Sequence, residues 1–171
     1  RDDIESAAAN LQKVIAEIQQ LMRSQFIEHF NIINMNFDLV FKELFDGGQA
    51  HLSLEDEQNV LECGIEINVQ PPGKKLQSMS LFSGGEKALI AIALLFATIR
   101  MHPVPFCILD EIEAALDESN LVRFNQYIRR YSETTQFVLV THRKTTMEAA
   151  DILYGVTMQE RGISKVVSMK L

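Results

Sequence analysis

Two short apolar runs constrain the fold of this chain more than any other feature of its sequence. Phe106 to Leu109 and Phe137 to Val140 lack alternating polar residues, and a helical pattern from Asn120 to Tyr131 separates them. Such runs are typical of parallel strands that are buried on both faces. The order of strand, helix and strand predicts a right-handed crossover. We therefore predict an α/β fold with these runs as neighbouring central strands of a parallel sheet.

A long apolar pattern precedes the first run, and two strand pairs accompany the sheet. The pattern from Glu86 to Arg100 is apolar on nearly all sides, which predicts a buried helix that Pro103 and Pro105 end. Alternating apolar residues predict the antiparallel pairs. The first pair comprises residues 51–54 and 64–69, and the second comprises residues 152–158 and 163–169 with a turn around residues 160–162.

The N-terminal segment carries a helical pattern of a different kind. Apolar residues at spacings of three and four form a seam of nearly three heptads: Ile4, Ala8, Leu11, Ile15, Ile18 and Met22. The seam predicts a coiled-coil stub, although an amphipathic helix packed on its own domain fits it as well. Arg1 falls inside the pattern without an initiator Met or a cap, which favours a helix cut from a longer coiled coil. Asp46-Gly47-Gly48 ends the helix, so we expect a coiled-coil stub and connecting helix over residues 1–45 and the main domain over residues 46–171.

Composition narrows the class of protein. The chain has 171 residues, 47% of them hydrophobic and 23% charged, which predicts one soluble globular domain. Its longest apolar run, residues 88–99, is shorter than the roughly 20 residues of a membrane-spanning helix. Cys63 and Cys107 have no metal-ligand spacing, which favours a cytoplasmic protein without a zinc site or a disulfide framework. A net charge of −7 makes the whole chain a poor binder of nucleic acid.

The segment Ser83-Gly84-Gly85-Glu86 directly precedes the apolar helix. A Ser three residues before a Glu is the pattern of a capping box, but a simple cap requires neither glycine. Glycines at the positive end of a helix leave backbone N–H groups accessible, and this arrangement receives phosphate. A helix cap and a phosphate-binding segment both remain open from these residues.

Polar residues follow both apolar runs. Asp110 and Glu111 follow the first run, and Thr141 and His142 follow the second. Neighbouring parallel strands bring their carboxyl ends to one sheet edge, where ligands bind in open α/β sheets. There Asp110 can hold magnesium, Glu111 can deprotonate a water molecule and His142 can contact a terminal phosphate. The alternatives are an Asp that starts the next helix, a surface histidine, and Asp117 as a plain N-cap.

The order of these segments is that of an ABC-type ATPase: Ser83-Gly84-Gly85-Glu86 is similar to the signature motif, Asp110-Glu111 to the Walker B motif, Ala115-Leu116-Asp117 to the D-loop and His142 to the switch histidine. From Leu81 onward, the chain resembles the C-terminal head lobe of bacterial structural maintenance of chromosomes (SMC) proteins. The resemblance implies an ABC-type ATPase half-domain with a parallel sheet core, an antiparallel strand pair and an N-terminal coiled-coil stub. The most similar stretches are residues 103–106 and 153–160, with further likeness at residues 41–45, 64–67 and 71–76.

The resemblance also implies roles for the site residues. Asp110 would hold Mg²⁺, Glu111 would polarise the attacking water and His142 would contact the γ-phosphate of ATP. Residues 83–86 would close over ATP held by a second head, and Asp117 would lie at the interface between the heads. Phe82 stands where many ABC signatures have Leu, which affects local packing alone.

One ATPase motif is missing. The chain contains no Gly-x-x-x-x-Gly-Lys-Ser/Thr, the loop that cradles the β- and γ-phosphates. In the SMC family this loop lies in the N-terminal head lobe, so the resemblance implies an ATPase only when the two lobes are paired and an inactive chain when this lobe is alone. It implies further partners: a second SMC head, a kleisin subunit, and DNA through the full complex. It also implies a nucleoid-associated location and a role in chromosome condensation and segregation.

Alternatives within this class and from other classes remain open. The chain could be a lobe of another coiled-coil ABC ATPase of DNA repair, a non-catalytic interaction lobe, or a transporter subunit. The heptads disfavour a transporter, and Glu111 disfavours a non-catalytic lobe, since such a lobe needs no second carboxylate after Asp110. The strand over residues 163–169 offers an edge or an apolar face either to the kleisin or to the N-terminal lobe. Lys74 and Lys75 offer a local contact to DNA phosphate.

Overall fold

A computed structural model describes the backbone of residues 2–171 and all their side chains except those of residues 2–6, 8, 9 and 159. The chain forms two compact units. The first comprises the chain up to Leu81 together with Ala93–His102, and the second comprises Phe82–Ile92 together with Pro103–Leu171. No helix in the described part of the chain is long and apolar enough to cross a membrane.

A single helix, α1 (Asp2–Phe45), spans 44 residues and confirms the predicted helical pattern. Its C-terminal part is anchored by fully buried side chains, those of Phe37, Val40, Phe41 and Leu44. The heptad seam is exposed to solvent: Leu11, Ile15, Ile18 and Met22 are 51 to 64% accessible. The seam residues Ile4 and Ala8 lie outside the described side chains. The coiled coil itself stays a prediction.

The helix ends in the predicted turn because three consecutive residues there have positive φ. Asp46, Gly47 and Gly48 have φ of 58°, 121° and 86°, and the Gly47 N–H donates to the Lys42 carbonyl. A Cβ on Gly48 would lie 2.3 Å from the carbonyl oxygen of Gln70. Glycine is therefore required at this position, both for the left-handed backbone and for the close approach of the Gln70 backbone.

The first unit contains an antiparallel sheet of β1 (Gln49–Leu54), β2 (Ile65–Gln70) and β3 (Gln77–Ser78), in that order. The first two strands confirm the predicted pair. The third has two residues and leads into a 3-10 turn, Met79–Leu81, and neither was predicted. Such short elements carry too few residues for a periodic signal.

Side chains of α1 close the open edge of β1. The Asn34 amide donates to the Leu52 carbonyl at 3.1 Å and accepts from the Leu52 N–H at 2.7 Å. The Ala50 N–H donates to the Asp38 carboxylate at 3.0 Å. Because Asn34 and Asp38 are one helical turn apart, they replace the hydrogen bonds of a further strand and cover an edge that otherwise pairs with other chains.

The predicted apolar helix is α2 (Gly84–Met101). Its buried residues are Leu89, Ile90, Ile92, Ala93, Phe96 and Ala97. The expectation that it is buried on nearly all sides is wrong for one stripe, since Ala91 and Leu95 are exposed and lie one turn apart. An apolar side chain is buried only where another segment packs against it, and no described segment covers this stripe of α2.

The second unit contains the predicted parallel pair. Strands β4 (Phe106–Asp110) and β5 (Gln136–Val140) run parallel, with α3 (Glu118–Tyr131) between them in sequence. The expectation that these strands are buried on both faces is wrong in this chain. One face carries four residues that are 45 to 63% accessible: Phe106, Ile108, Val138 and Val140. The described part of the second unit covers only the other face, where Leu109 is buried.

A short helix and a hairpin complete the chain. Helix α4 (Lys144–Glu148) follows β5 and was not predicted. Strands β6 (Ile152–Glu160) and β7 (Ile163–Lys170) form the predicted antiparallel hairpin. The α/β fold class with a parallel pair, antiparallel pairs and a long N-terminal helix is confirmed.

Candidate functional site

The carboxyl ends of β4 and β5 bring an acid and an imidazole together. Nδ1 of His142 lies 3.3 Å from Oε1 of Glu111, at the sheet edge that the sequence predicts. Glu111 has a φ of +48°, in the left-handed region that non-glycine residues seldom adopt. Its N–H donates to the Val140 carbonyl at 2.9 Å, and this bond holds the strained residue against β5. Such strain is typical of functional positions.

Both members of this pair are accessible to a ligand. The side chains of Glu111 and His142 are 54% and 65% exposed. With Nδ1 directed at the carboxylate, Nε2 of the imidazole is left for a second partner. The carboxylate keeps its other oxygen to accept a proton from water. The arrangement is therefore suited to proton transfer beside a bound anionic group.

Asp110 is the last residue of β4 and is exposed beside this pair in sequence. Among the described residues there is no group of three or more His, Cys, Asp or Glu side chains that could hold a metal ion by themselves. Mg²⁺ is commonly held by one or two carboxylates together with substrate phosphates and water. The exposed carboxylate of Asp110 fits this kind of site, in which water and phosphate oxygens supply the other ligands.

Ser83 and Glu86 form a capping box at the start of α2. The Ser83 hydroxyl donates to the Glu86 carboxylate at 3.0 Å, and the Glu86 N–H lies 3.4 Å from the Ser83 oxygen. The two intervening glycines differ in their surroundings. A Cβ on Gly84 would meet open space, whereas one on Gly85 would lie 3.4 Å from the Ala115 carbonyl and from the Asp117 carboxylate. Gly85 therefore faces the loop before α3 at ordinary contact distance, and Gly84 leaves its surface open.

Asp117 caps α3, as its position in the sequence suggests. Its carboxylate accepts from the Asn120 N–H at 2.8 Å, from the Ser119 hydroxyl at 2.9 Å and from the Asn120 amide at 3.1 Å. The bond from the Asn120 backbone, followed by that from Ser119, lowers the pKa of Asp117. The carboxylate is thus kept ionised next to Gly85.

Sequence reasoning missed two features of this region. Glu118 accepts hydrogen bonds from Arg143 and Thr145, which come directly after His142. Glu113 is 1% exposed, and neither of its carboxylate oxygens has a hydrogen-bond partner among the described residues. An unbroken polar stretch, His142 to Thr145, was the available signal for the first feature. A charged residue among apolar ones was the signal for the second.

The fold is similar to that of solved SMC head domains, and the comparison of sequences shows the family. The chain belongs to the family described as the RecF/RecN/SMC N terminal domain, whose model matches residues 4–165. It is 56% identical over 171 residues to the chromosome partition protein Smc of Bacillus subtilis (strain 168). The match covers all of this chain and 14% of that relative, so the chain spans about a seventh of the curated relative's length.

Solved structures agree with this membership. An SMC ATPase chain, described for ATP-driven dimerization and DNA-stimulated activation, is 39% identical with a TM-score of 0.79, covering 86% of this chain and 89% of that chain. An Smc head domain from Pyrococcus furiosus, with an extended coiled coil and bound to the C-terminal domain of ScpA, is 38% identical with a TM-score of 0.77. That match covers 99% of this chain and 42% of the other.

Proposed function

We propose that this chain is the C-terminal lobe of an SMC ATPase head that acts in chromosome partition. The observation that carries the proposal is the contact of 3.3 Å between His142 and Glu111 at the carboxyl ends of two parallel strands. A base and an imidazole at this edge are suited to hydrolysis of a terminal phosphate. The family includes SMC ATPases, which supports the same reaction.

Each site residue has a distinct part in this reaction. Glu111 accepts the proton of the attacking water, and His142 contacts the γ-phosphate through the nitrogen that does not face Glu111. Asp110 holds Mg²⁺, which supplies charge neutralisation to the phosphates when it is bound with ATP. Ser83, Gly84, Gly85 and Glu86 contact the nucleotide of a second head, and Asp117 lies at the interface between heads. The open surface at Gly84 supports that role, since backbone at a helix start can approach phosphate there.

The N-terminal lobe supplies the phosphate-binding loop that this sequence lacks. Two apolar surfaces support the pairing of lobes. The open face of β4 and β5 exposes Phe106 and Ile108, and the β6–β7 hairpin exposes Tyr154 and Val156 at 68% and 73%. Apolar side chains this exposed on a sheet are typical of surfaces that another chain segment covers. The hairpin has two candidate occupants, the N-terminal lobe and the kleisin.

The remaining partners follow from relatives. One solved relative is described for ATP-driven dimerization, and another is an Smc head bound to a domain of ScpA. We assign three partners to this chain: a second SMC head, a kleisin subunit, and DNA through the full complex. The exposed seam on α1, which includes Leu11 and Ile15, is the candidate surface for an antiparallel coiled-coil partner.

Reconstitution of the head tests the proposal. The chain is mixed with an SMC N-terminal lobe, and ATP binding and turnover are measured for wild type and Glu111→Gln. We expect turnover in the wild-type pair and a loss of a hundredfold or more in the variant, about the effect of removing a general base. ATP binding should persist because Asp110 is retained. Wild-type turnover in Glu111→Gln contradicts the assigned role, and an inactive wild-type pair contradicts the proposed function.

A further inference from the structure

One carboxylate connects the two loops that carry the site residues. Glu118 is the first residue of α3, directly after Asp117, and its two oxygens are bound by different donors. Oε2 accepts from Nη2 of Arg143 at 3.3 Å, and Oε1 accepts from the Thr145 hydroxyl at 2.6 Å. Nη2 of Arg143 also lies 3.4 Å from the carbonyl oxygen of Leu116, inside the loop before α3.

The donors are held close to His142 by their own backbone contacts. The Arg143 N–H donates to the Thr141 hydroxyl at 3.0 Å, and the Arg143 carbonyl accepts from the N–H groups of Thr146 and Met147 as α4 begins. His142 lies between Thr141 and Arg143, so the bond between those two residues restricts its backbone. Glu118 therefore connects the start of α3 to the segment after His142 through Arg143, the N-cap of α4, and Thr145, in the first turn of α4.

Exposure argues that this contact positions the loops and does little for stability. The Glu118 side chain is 68% exposed and that of Arg143 is 27% exposed. Ion pairs this accessible contribute little to the free energy of folding. The short bond from Thr145 is charge-assisted, and together with the Arg143 bonds it gives three attachments between the start of α3 and the start of α4. Several directional bonds restrict geometry more than they add to the free energy of folding.

We propose that Glu118 is a positioning residue that fixes His142 relative to Glu111 and Asp117 through Arg143 and Thr145. We assign it no contact with the nucleotide or with the attacking water, and it acts on the reaction through the geometry of the segments that carry His142 and Asp117. This inference rests on the proposed ATPase function. Misplacement of catalytic groups by about 1 Å can lower a rate by orders of magnitude, so even a weak tie between the loops matters for turnover.

Three variants in the complete, two-lobe head test the proposal. Glu118→Ala removes both acceptors, Glu118→Gln keeps one carbonyl oxygen, and Thr145→Val removes one donor. The matched control is Glu148→Ala, which breaks the exposed ion pair between Lys144 and Glu148 within α4 but connects no loops. For each variant we measure kcat, KM for ATP, the melting temperature and hydrogen exchange of the amides of residues 114–117.

We expect kcat of Glu118→Ala to fall about tenfold while KM for ATP stays within about twofold, because positioning affects the chemical step. Thr145→Val should lose about half as much on a logarithmic scale, and Glu118→Gln should recover most of the rate. Amides of residues 114–117 should exchange faster in Glu118→Ala and normally in Glu148→Ala. Equal rates in Glu118→Ala and wild type, or equal losses in the Ala and Gln variants, overturn the proposal.

Failure of the ATPase assignment is distinguishable from failure of this inference. If the wild-type head does not hydrolyse ATP, the hydrogen-exchange measurement alone tests the positioning role of Glu118. Faster exchange of residues 114–117 in Glu118→Ala with recovery in Glu118→Gln supports the positioning contact. Unchanged exchange overturns it.

Discussion

At the scale of single residues, the site combines local strain with local hydrogen bonds. Glu111 keeps an unfavourable backbone conformation because its N–H is bound to β5. Asp117 holds its carboxylate in place through three donors within the next three residues. The first arrangement depends on a neighbouring strand, whereas the second depends on adjacent sequence only. Substitutions of Glu111 and of Asp117 should therefore affect the protein differently.

Asp117→Ala removes the N-cap of α3. We expect the free energy of unfolding at pH 7 to fall by about 1 kcal/mol, the usual effect of losing an Asp cap. Asp117→Asn is the matched control, because its amide oxygen can still accept from the Asn120 N–H. Urea denaturation of the three proteins measures the difference, and equal stabilities would contradict the capping role.

The stability that Asp117 contributes should depend on pH. Hydrogen bonds from Asn120 and Ser119 lower the pKa of Asp117 in the folded chain. Their stabilisation is complete above the ordinary Asp pKa of about 3.9 and is lost as pH falls through the lowered value. The stability difference between wild type and Asp117→Ala should stay constant from neutral pH to about 5 and shrink below about 4. A difference that persists undiminished at lower pH would contradict this.

Glu113→Met should stabilise the chain. The Glu113 carboxylate is buried, and no described residue bonds either oxygen. An unpartnered buried polar group costs about 1 to 3 kcal/mol, which an unbranched apolar side chain of similar length avoids. We expect the urea midpoint to rise, with the exposed Glu133→Met as a near-neutral control. A lower midpoint would show that the carboxylate has a partner such as an ordered water.

At the scale of elements, α1 and β1 depend on each other through helix side chains that bond to strand backbone. Asn34→Ala leaves the Leu52 N–H and carbonyl without these partners. We expect faster hydrogen exchange of the Leu52 amide and a loss of stability of about 1 to 3 kcal/mol. Asn31→Ala, an exposed position on the same helix, is the matched control and should exchange normally. Unchanged protection of Leu52 would contradict the edge contact.

The elements also show what a sequence can predict. Helix α1, the β1–β2 pair, the parallel strands and the hairpin all have repeated patterns, so each could be predicted. The contact between Glu111 and His142 could be expected because parallel strands end at one edge. The exposure of Ile108 could not be predicted, since it depends on what covers the strand. The bonds of Glu118 depend on side-chain conformations in two loops distant in sequence, which no periodic pattern encodes.

At the scale of the whole molecule, the proposed function assigns to this chain one side of a nucleotide site, and its sequence lacks the motif of a phosphate-binding loop. We expect the isolated chain to bind ATP weakly and to hydrolyse none, because the Asp110 and Glu111 carboxylates repel a polyanion that no loop attracts. Calorimetry with magnesium and ATP measures the affinity, and a malachite green assay measures released phosphate. Micromolar binding or steady phosphate release by this chain alone would contradict the split site.

The anchoring of α1 has a mechanical consequence. Asn34 and Asp38 form hydrogen bonds to β1 near the C-terminal end of the helix. At about 1.5 Å per residue, Asp2 lies ~48 Å from Asn34 along the helix. A tilt of about 5° at these bonds would swing Asp2 by ~4 Å, as a lever with its fulcrum at β1. The reverse also holds: a small lateral force at Asp2 exerts a large torque on the Leu52 hydrogen bonds. A lateral load on this part of the helix would therefore act on the edge of this sheet.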